Sequence, residues 1–312
     1  MPSLLQLALA IGQAAALLLL APIVSGFCRI LRAKIQTRTG PPLLQDYHDL
    51  LKLLKRQEVV PQGAGIIFRA MPYVLMATLL TIAMALPALT FASPLSGVGN
   101  LFTVVYLLAL VRFFFSLSGI DSGSTFAGLG ASRETTMGAL MEPVILLALF
   151  VAALIAGSTN LGQISAAFGK LSGGTIAAEV IVTVAVAFAV FVEMGKVPYD
   201  MAEAEQELQE GPLTEYSGPG LALLKWSISL KQIVMATLLI GVFLPYGAAA
   251  TPTVGTLLWA ALAFLIKLAV VFVVVALIEN SSARSRFFMA SRATWAGFGI
   301  ATLGLVFYLV GL

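Results

Sequence analysis

The sequence predicts an all-α polytopic membrane protein with about eight transmembrane helices and one interfacial amphipathic helix. Three observations predict it: the apolar excess, the length of the apolar blocks, and the placing of the charges between them. Apolar residues make up 59% of the 312 residues and charged residues 11%, against roughly 25% charged in a soluble domain. Mean hydropathy is +0.98. A hydrocarbon core about 30 Å thick takes about 20 helical residues to cross, and the backbone must satisfy its own hydrogen bonds there, so repeated apolar blocks of that length become helices.

Eight blocks answer to this, near residues 4–27, 71–91, 101–120, 135–157, 176–196, 227–247, 254–279 and 293–311. The first lacks a basic leader and runs straight into Cys28, Arg29, Arg32, Lys34 and Arg38, which is expected of a retained span and not of a cleaved signal. In the loop that follows, LLQDYHDLLKLLKRQ puts Leu43, Leu44, Tyr47, Leu50, Leu51 and Leu54 on one helical face and Asp46, Asp49, Lys52, Lys55 and Arg56 largely on the other. This segment is too short to span and is expected to lie on the inner leaflet, as a topology anchor or a ledge for a soluble partner, with His48 solvated. Between the third and fourth blocks, SGIDSGSTFAGLGASRE carries Asp121 and Arg133 and reads as a polar turn whose glycines let helices pack closely. The chain is expected to be one integral domain, 1–312, with a first cytoplasmic loop at 28–70 and an acidic one at 197–226.

Lysine and arginine set the orientation. With the first loop in the cytoplasm, that side holds Arg29, Arg32, Lys34, Arg38, Lys52, Lys55, Arg56, Arg69, Arg133, Lys196, Lys225, Arg284, Arg286 and Arg292, and only Lys170 lies clearly outside. The positive-inside rule then puts both termini on the outer face. Redox chemistry is bounded by ligand supply: one cysteine, Cys28, and one histidine, His48, cannot build a zinc site, an iron–sulfur cluster or a disulfide within the chain. No phosphate-binding loop or dinucleotide fingerprint stands in a supporting context. The pI near 9.0 follows from membrane orientation and does not point to nucleic acid.

The chemistry concentrates in EMGKVPYDMAEAEQELQEGPLTEY, residues 193–216, where Asp200, Glu203, Glu205, Glu207, Glu210 and Glu215 crowd together. Asp200 and Glu203 have the spacing of a helix capping box and Gly211-Pro212 that of a stop, which predicts a helix of about ten residues. On it, Asp200, Glu203, Glu207 and Glu210 would stack along one face, where like charges disfavour one another by roughly 0.2–0.5 kcal/mol per pair. Capping does not require such a stripe; neighbouring, partly buried carboxylates raise one another's pKa and can pass protons near neutral pH. Three further charges fall within spans: Glu142, followed by Pro143, Glu193 near an inner end, and Lys267 at mid-span. At roughly 2.5–3.5 kcal/mol each at a bilayer centre, such groups are expected to face protein or water, though Glu193 is close enough to the boundary to snorkel. Arg112, Glu134 and Glu279 lie nearer the inner face and read as structural.

These motifs carry a resemblance over nearly the whole chain. RTGPPLLQDYHDLLKLLKRQ, GSTFAGLGASRE with Glu142 after it, EMGKVPYDMAEAEQELQEGPLTEYSG, the Lys267 span and ENSSARSR are similar to the subunit 1 family of respiratory complex I. They resemble its hydrogenase branch more closely, the membrane subunit of formate hydrogenlyase and component C of hydrogenase-4. The resemblance implies a non-catalytic, eight-helix membrane anchor of a group 4 nickel–iron hydrogenase complex in a bacterial inner membrane, which docks a soluble redox arm and links it to proton-handling subunits. It implies an acidic funnel of Glu142, Glu193, Asp200, Glu203, Glu205 and Glu207, joined here with Lys267 as a proton path, and basic residues Arg38, Arg133 and Lys196 at the redox-arm junction, beside Glu210. No cofactor is expected on this chain; the nickel–iron centre and iron–sulfur clusters would sit on partners. Those are a hydrogenase large subunit, an iron–sulfur small subunit and polyferredoxin, antiporter-like membrane subunits and formate dehydrogenase, with membrane lipid around them. Quinone-reducing relatives usually read ETNRAPFD where this chain has EMGKVPYD, and Lys196 keeps the charge of the usual arginine without its planar fork. The alternatives are a quinone-chamber subunit of a complex I-type dehydrogenase and, from another class, a stand-alone proton or cation transporter.

Overall fold

The computed structural model describes residues 4–170, 176–251, 253–285 and 287–311, the side chains of 205, 206 and 287–290 excepted. The chain runs through α1 (Leu4–Ile35), α2 (Gln45–Leu54), α3 (Ile66–Ala85), α4 (Leu101–Asp121), α5 (Thr125–Ala156), α6 (Leu161–Phe168), α7 (Ile176–Glu193), α8 (Glu205–Leu208), α9 (Gly218–Leu238), α10 (Val254–Ser281) and α11 (Phe287–Val310). Eight of these segments are long and apolar enough to cross a membrane, and the protein is a multi-pass membrane protein. One end of the bundle bears α2 and the acidic segment; α6 and the α9–α10 connection lie at the other.

Helix α5 packs against α4, α7 and α11, while α3 bridges α4 and α9 and α1 leans on α9, α3 and α10. Leu79, Ile82, Leu101, Met141, Leu149 and Leu224 are fully buried between them. In the α9 span 72% of the apolar window is buried, against 28% in α10 and 22% in α11. The last two helices are therefore peripheral: Leu268 and Val275 pack on the core, while Leu258, Val270, Leu277, Leu303 and Val306 are exposed toward lipid or neighbouring chains.

Helix ends are satisfied by side chains brought from elsewhere, as a low-dielectric setting demands. Asp121, at the end of α4, accepts a 2.9 Å bond from the Phe68 amide in the first turn of α3. Gln13 of α1 is buried and its amide donates to the carbonyls of Ala83 and Leu86, at 2.6 and 2.8 Å, where α3 stops ahead of Pro87. Thr253 and Thr256 form a capping box on α10.

Two expectations need correction. The polar turn expected around Asp121 and Arg133 shrinks to residues 122–124, because α5 starts at Thr125; the small residues of GSTFAGLGAS serve helix packing and not a loop. The leucine face of α2 is left largely uncovered by the bundle, as suits a helix expected to lie on a leaflet. Asp46 and Leu50 are buried against α1 and α9, while Leu43, Leu44, Leu51 and Leu54 are exposed and His48 is too. The ten-residue acidic helix is also absent, α8 having only four residues. Ala204, Gln209, Glu210 and Gly211 adopt φ of 25°, 53°, 72° and 55°, a left-handed region that ends a right-handed helix. Helix α6 was not anticipated.

Candidate functional site

The centre of the site is Arg112 of α4, whose side chain is only 8% exposed. One terminal nitrogen donates to Glu142 of α5 and the other to Glu193 of α7, while its Nε lies 3.8 Å from Glu134 of α5. Lys231 of α9 approaches two of the same acids, Glu193 at 3.5 Å and Glu134 at 3.8 Å. Four spans thus meet at five charges, three negative and two positive. Helix α5 prepares this by spacing: Glu134, Gly138 and Glu142 recur every fourth residue and so share one face. The glycine between the two acids is the notch through which Arg112 passes, since a Cβ there would overlap Cδ, Nε and Nη1 of the guanidinium arm.

Against the end of this cluster folds the acidic segment, whose carboxylates diverge. Asp200 accepts from Arg284 at 2.7 Å, Glu207 from Arg133 at 2.7 Å, and Glu210 lies 3.4 Å from Lys225. Each acid is thus tied to a different element. Ser285 adds bonds from its hydroxyl and amide to the Pro198 carbonyl, at 2.9 and 3.2 Å. Glu203 remains, half-buried and paired with no cation within 4 Å among the described residues. Burial and the adjacent Asp200 carboxylate push its pKa up from 4.5 to about 7, against the opposing pull of Lys196.

Two cavities adjoin these groups. The smaller, about 70 Å³, is lined by Arg112, Glu134, Glu193, Lys231, Asp200 and Glu203, and has room for a few waters at polar partners. The larger, about 480 Å³, lies between α1, α2 and α9 and is lined by Arg29, Arg32, Asp46, Lys196, Glu203 and Glu210 among others. Glu203 is the one ionisable residue common to both linings.

The structure therefore brings Glu142, Glu193, Asp200 and Glu203 to one region, with Glu207, Arg133 and Glu210 on its rim and Lys196 in the larger cavity. The Glu205 side chain lies outside the described residues, as does Arg286. Two residues are not brought in. Lys267 of α10 donates to the carbonyls of Leu244 and Tyr246, at 2.7 and 2.9 Å, beyond the π-turn Leu239–Phe243 that ends the α9 span. Arg38 is exposed after α1 and makes no ion pair among the described residues. Conversely, Arg112 and Glu134, read from sequence as structural, are central, and Lys231 was missed. The signal available was the four-residue rhythm of Glu134, Gly138 and Glu142; nothing local to α4 or α9 identifies their partners. Glu193 is buried in an ion pair and does not snorkel.

A charged cluster enclosed by an eight-span helical bundle and backed by a polar loop defines a membrane protein that manages ionisable groups within its core. The chain belongs to the NADH dehydrogenase family, whose model matches residues 7–310. It is 51% identical to hydrogenase-4 component C of Escherichia coli (strain K12) over 303 residues, 97% of this chain and 96% of that one. It is 50% identical to formate hydrogenlyase subunit 4 of the same strain over 294 residues, 94% and 96% of the two chains. NADH-quinone oxidoreductase subunit 8 of Rhodothermus marinus is 31% identical over 248 residues, 73% of this chain and 71% of that one. Among solved structures, a chain of the membrane-bound sulfane sulfur reductase, an archaeal respiratory membrane complex, superposes with a TM-score of 0.83 at 22% identity, covering 96% of this chain and 98% of that one. That likeness bears out the fold, and the family match bears out the resemblance carried by the motifs.

Proposed function

We propose that this chain is the non-catalytic membrane anchor of a nickel–iron hydrogenase complex of the hydrogenase-4 or formate hydrogenlyase kind. The observation that carries this reading is the half-identity with both hydrogenase subunits over almost their entire lengths, against 31% over 73% of the chain with a quinone oxidoreductase subunit. In this reading α2 and the acidic segment face the cytoplasm of a bacterial cell, both termini are periplasmic, and the redox arm docks on the face that carries Arg38, Arg133, Lys196 and Glu210. The nickel–iron centre and iron–sulfur clusters belong to the large subunit, the small subunit and the polyferredoxin; antiporter-like subunits flank the bundle, and formate dehydrogenase supplies electrons.

Protons enter at Glu203, which touches both cavities, and reach Glu193 and Glu142 around the Arg112 guanidinium. Glu207 and Asp200 hold the loop in place through their cations. The arrangement of Glu203 between the two cavities supports this route, and its pKa near 7 suits exchange at neutral pH. Lys267 belongs to the route only through solvent or a partner, since its own bonds are to backbone carbonyls.

The test is affinity purification of the tagged chain in mild detergent with identification of the co-purifying subunits. Hydrogenase large and small subunits are expected; recovery of NADH-oxidising subunits, or of the chain alone, would falsify the assignment. In the assembled complex, Glu203→Gln is expected to slow coupled proton movement at least tenfold while the subunits still assemble. Unchanged proton movement would leave Glu203 a passive buried acid.

A further inference from the structure

The larger cavity holds charges that the proton route does not use. Arg29 lies 2.8 Å from Asp46 but 3.8 Å from Asp49, Lys225 is occupied by Glu210 at 3.4 Å, and Arg32 by Glu279 at 2.7 Å. Two lining groups remain under-neutralised. Lys196 is half-buried, and its ammonium has no ion-pair or hydrogen-bond partner among the described residues. Among the described residues Asp49 meets one cation, Arg29, shared with the nearer Asp46, and its other bond is a neutral one from Gln45 at 2.9 Å. A ligand matching this wall carries an acidic oxygen group for the lysine and an ammonium for the aspartate.

Position narrows the class. The cavity is bounded by α2, whose Leu51 and Leu54 are exposed, as are Leu43 and Leu44 just ahead of it, as in a helix lying at the headgroup–acyl boundary. Pro22, Leu50, Leu53 and Ile228 supply apolar wall beside the charges. A volume of about 480 Å³ falls in the range of small-ligand sites, and basic pockets between membrane helices on the cytoplasmic side are places where lipid headgroups lodge. The lining as a whole carries five cations, with Lys52 included, and four carboxylates, so its charges nearly cancel. That favours a dipolar headgroup over a purely anionic one.

We propose that the cavity between α1, α2 and α9 binds the headgroup of a zwitterionic aminophospholipid, with its phosphate on Lys196 and its primary ammonium on Asp49. Phosphate and ammonium then each gain a charge-assisted hydrogen bond, and the acyl chains leave alongside the α2 leucines. The inference rests on the proposed function only for which end of the bundle is cytoplasmic, and it assigns Lys196 to the cavity wall instead of the redox-arm face.

The complex, purified in mild detergent and stripped by extended washing, would be reloaded with phosphatidylethanolamine, phosphatidylcholine or phosphatidylglycerol, and bound lipid counted by extraction and mass spectrometry. One phosphatidylethanolamine per chain is expected, retained about tenfold better than either other lipid, the scale of one lost charge-assisted bond. Lys196→Gln and Asp49→Asn are each expected to lower retention about tenfold by the same reckoning, and Lys196→Arg to restore it. Where Lys196→Gln blocks assembly, Ser229→Phe fills the cavity from α9 and is expected to abolish retention. Equal retention of the choline or glycerol lipid, retention unmoved by these substitutions, displacement by millimolar inorganic phosphate, or recovery of an isoprenoid quinone in place of phospholipid each overturns the proposal.

Discussion

Arg112 faces three carboxylates from within the bundle, and taking it away would strand them. A buried pair broken from one side typically costs about 3–5 kcal/mol because the remaining charge is uncompensated. Arg112→Met is therefore expected to lower the detergent thermal midpoint sharply, and Arg112→Lys to lower it less, since the charge stays while the fork that spans Glu142 and Glu193 is lost. Gly138→Ala puts a methyl into the guanidinium's channel and is expected to cost about 1–3 kcal/mol by overpacking, read by the same melt. Glu203 gives a pH signature. Its folded pKa near 7 exceeds the ordinary 4.5, so the folded state holds the proton more tightly. Stability from this group is full below the unfolded value and is lost as pH rises through about 7. The melting midpoint of the wild type should fall between about pH 5 and 8 more steeply than that of Glu203→Gln; parallel curves would show that the carboxyl is solvated. Of this scale, the in-span Glu142 and the buried Glu193 were legible in the sequence because charge in oil is conspicuous. Lys231 and the role of Arg112 were not, since pairing across four helices has no local signature.

At the scale of elements, the spans were legible from apolar length, and their ends were not. Helix α5 starts about ten residues ahead of its apolar block, because packing on the acidic segment replaces hydrophobicity as the reason for helix. The acidic segment itself misled through its capping-box spacing, which is a local preference that Arg284, Arg133 and Lys225 override by pulling three acids in different directions. Long-range caps are the other hidden layer. Asp121→Ala should remove the α3 cap and cost about 0.5–2 kcal/mol, with faster amide exchange at residues 66–68 as its measurable sign. Lys267→Met should release the Leu244 and Tyr246 carbonyls. Limited proteolysis after the α9 span is expected to speed up, while proton movement through the Arg112 cluster should not change.

For the whole molecule, the count of spans and the presence of a short helix at Gln45–Leu54 followed from composition and periodicity, whereas the order of packing, with α9 central and α10 and α11 outside, did not. Peripheral helices with bare apolar faces are natural contact surfaces for neighbouring membrane subunits. Cysteines introduced beside the termini and at Lys170 are expected to react with an impermeant thiol reagent from the periplasmic side, and one at residue 56 only after the membrane is opened; the reverse pattern would invert the assigned orientation. The acidic loop is fastened to the bundle by ion pairs at Asp200, Glu207 and Glu210 and by Ser285 on the Pro198 carbonyl, and of these only the Glu207 and Glu210 pairs reach the surface, where such pairs hold with about 0–1 kcal/mol each. A neighbour that offered its own cations to Glu207 or Glu210 would release those two ties at small cost, while the part-buried Asp200 pair and the packed Met201, Leu208 and Leu213 kept the loop seated. The hinge between the soluble and embedded halves of an assembly would then be a pair of latches, each weak enough to open on contact and close again by itself.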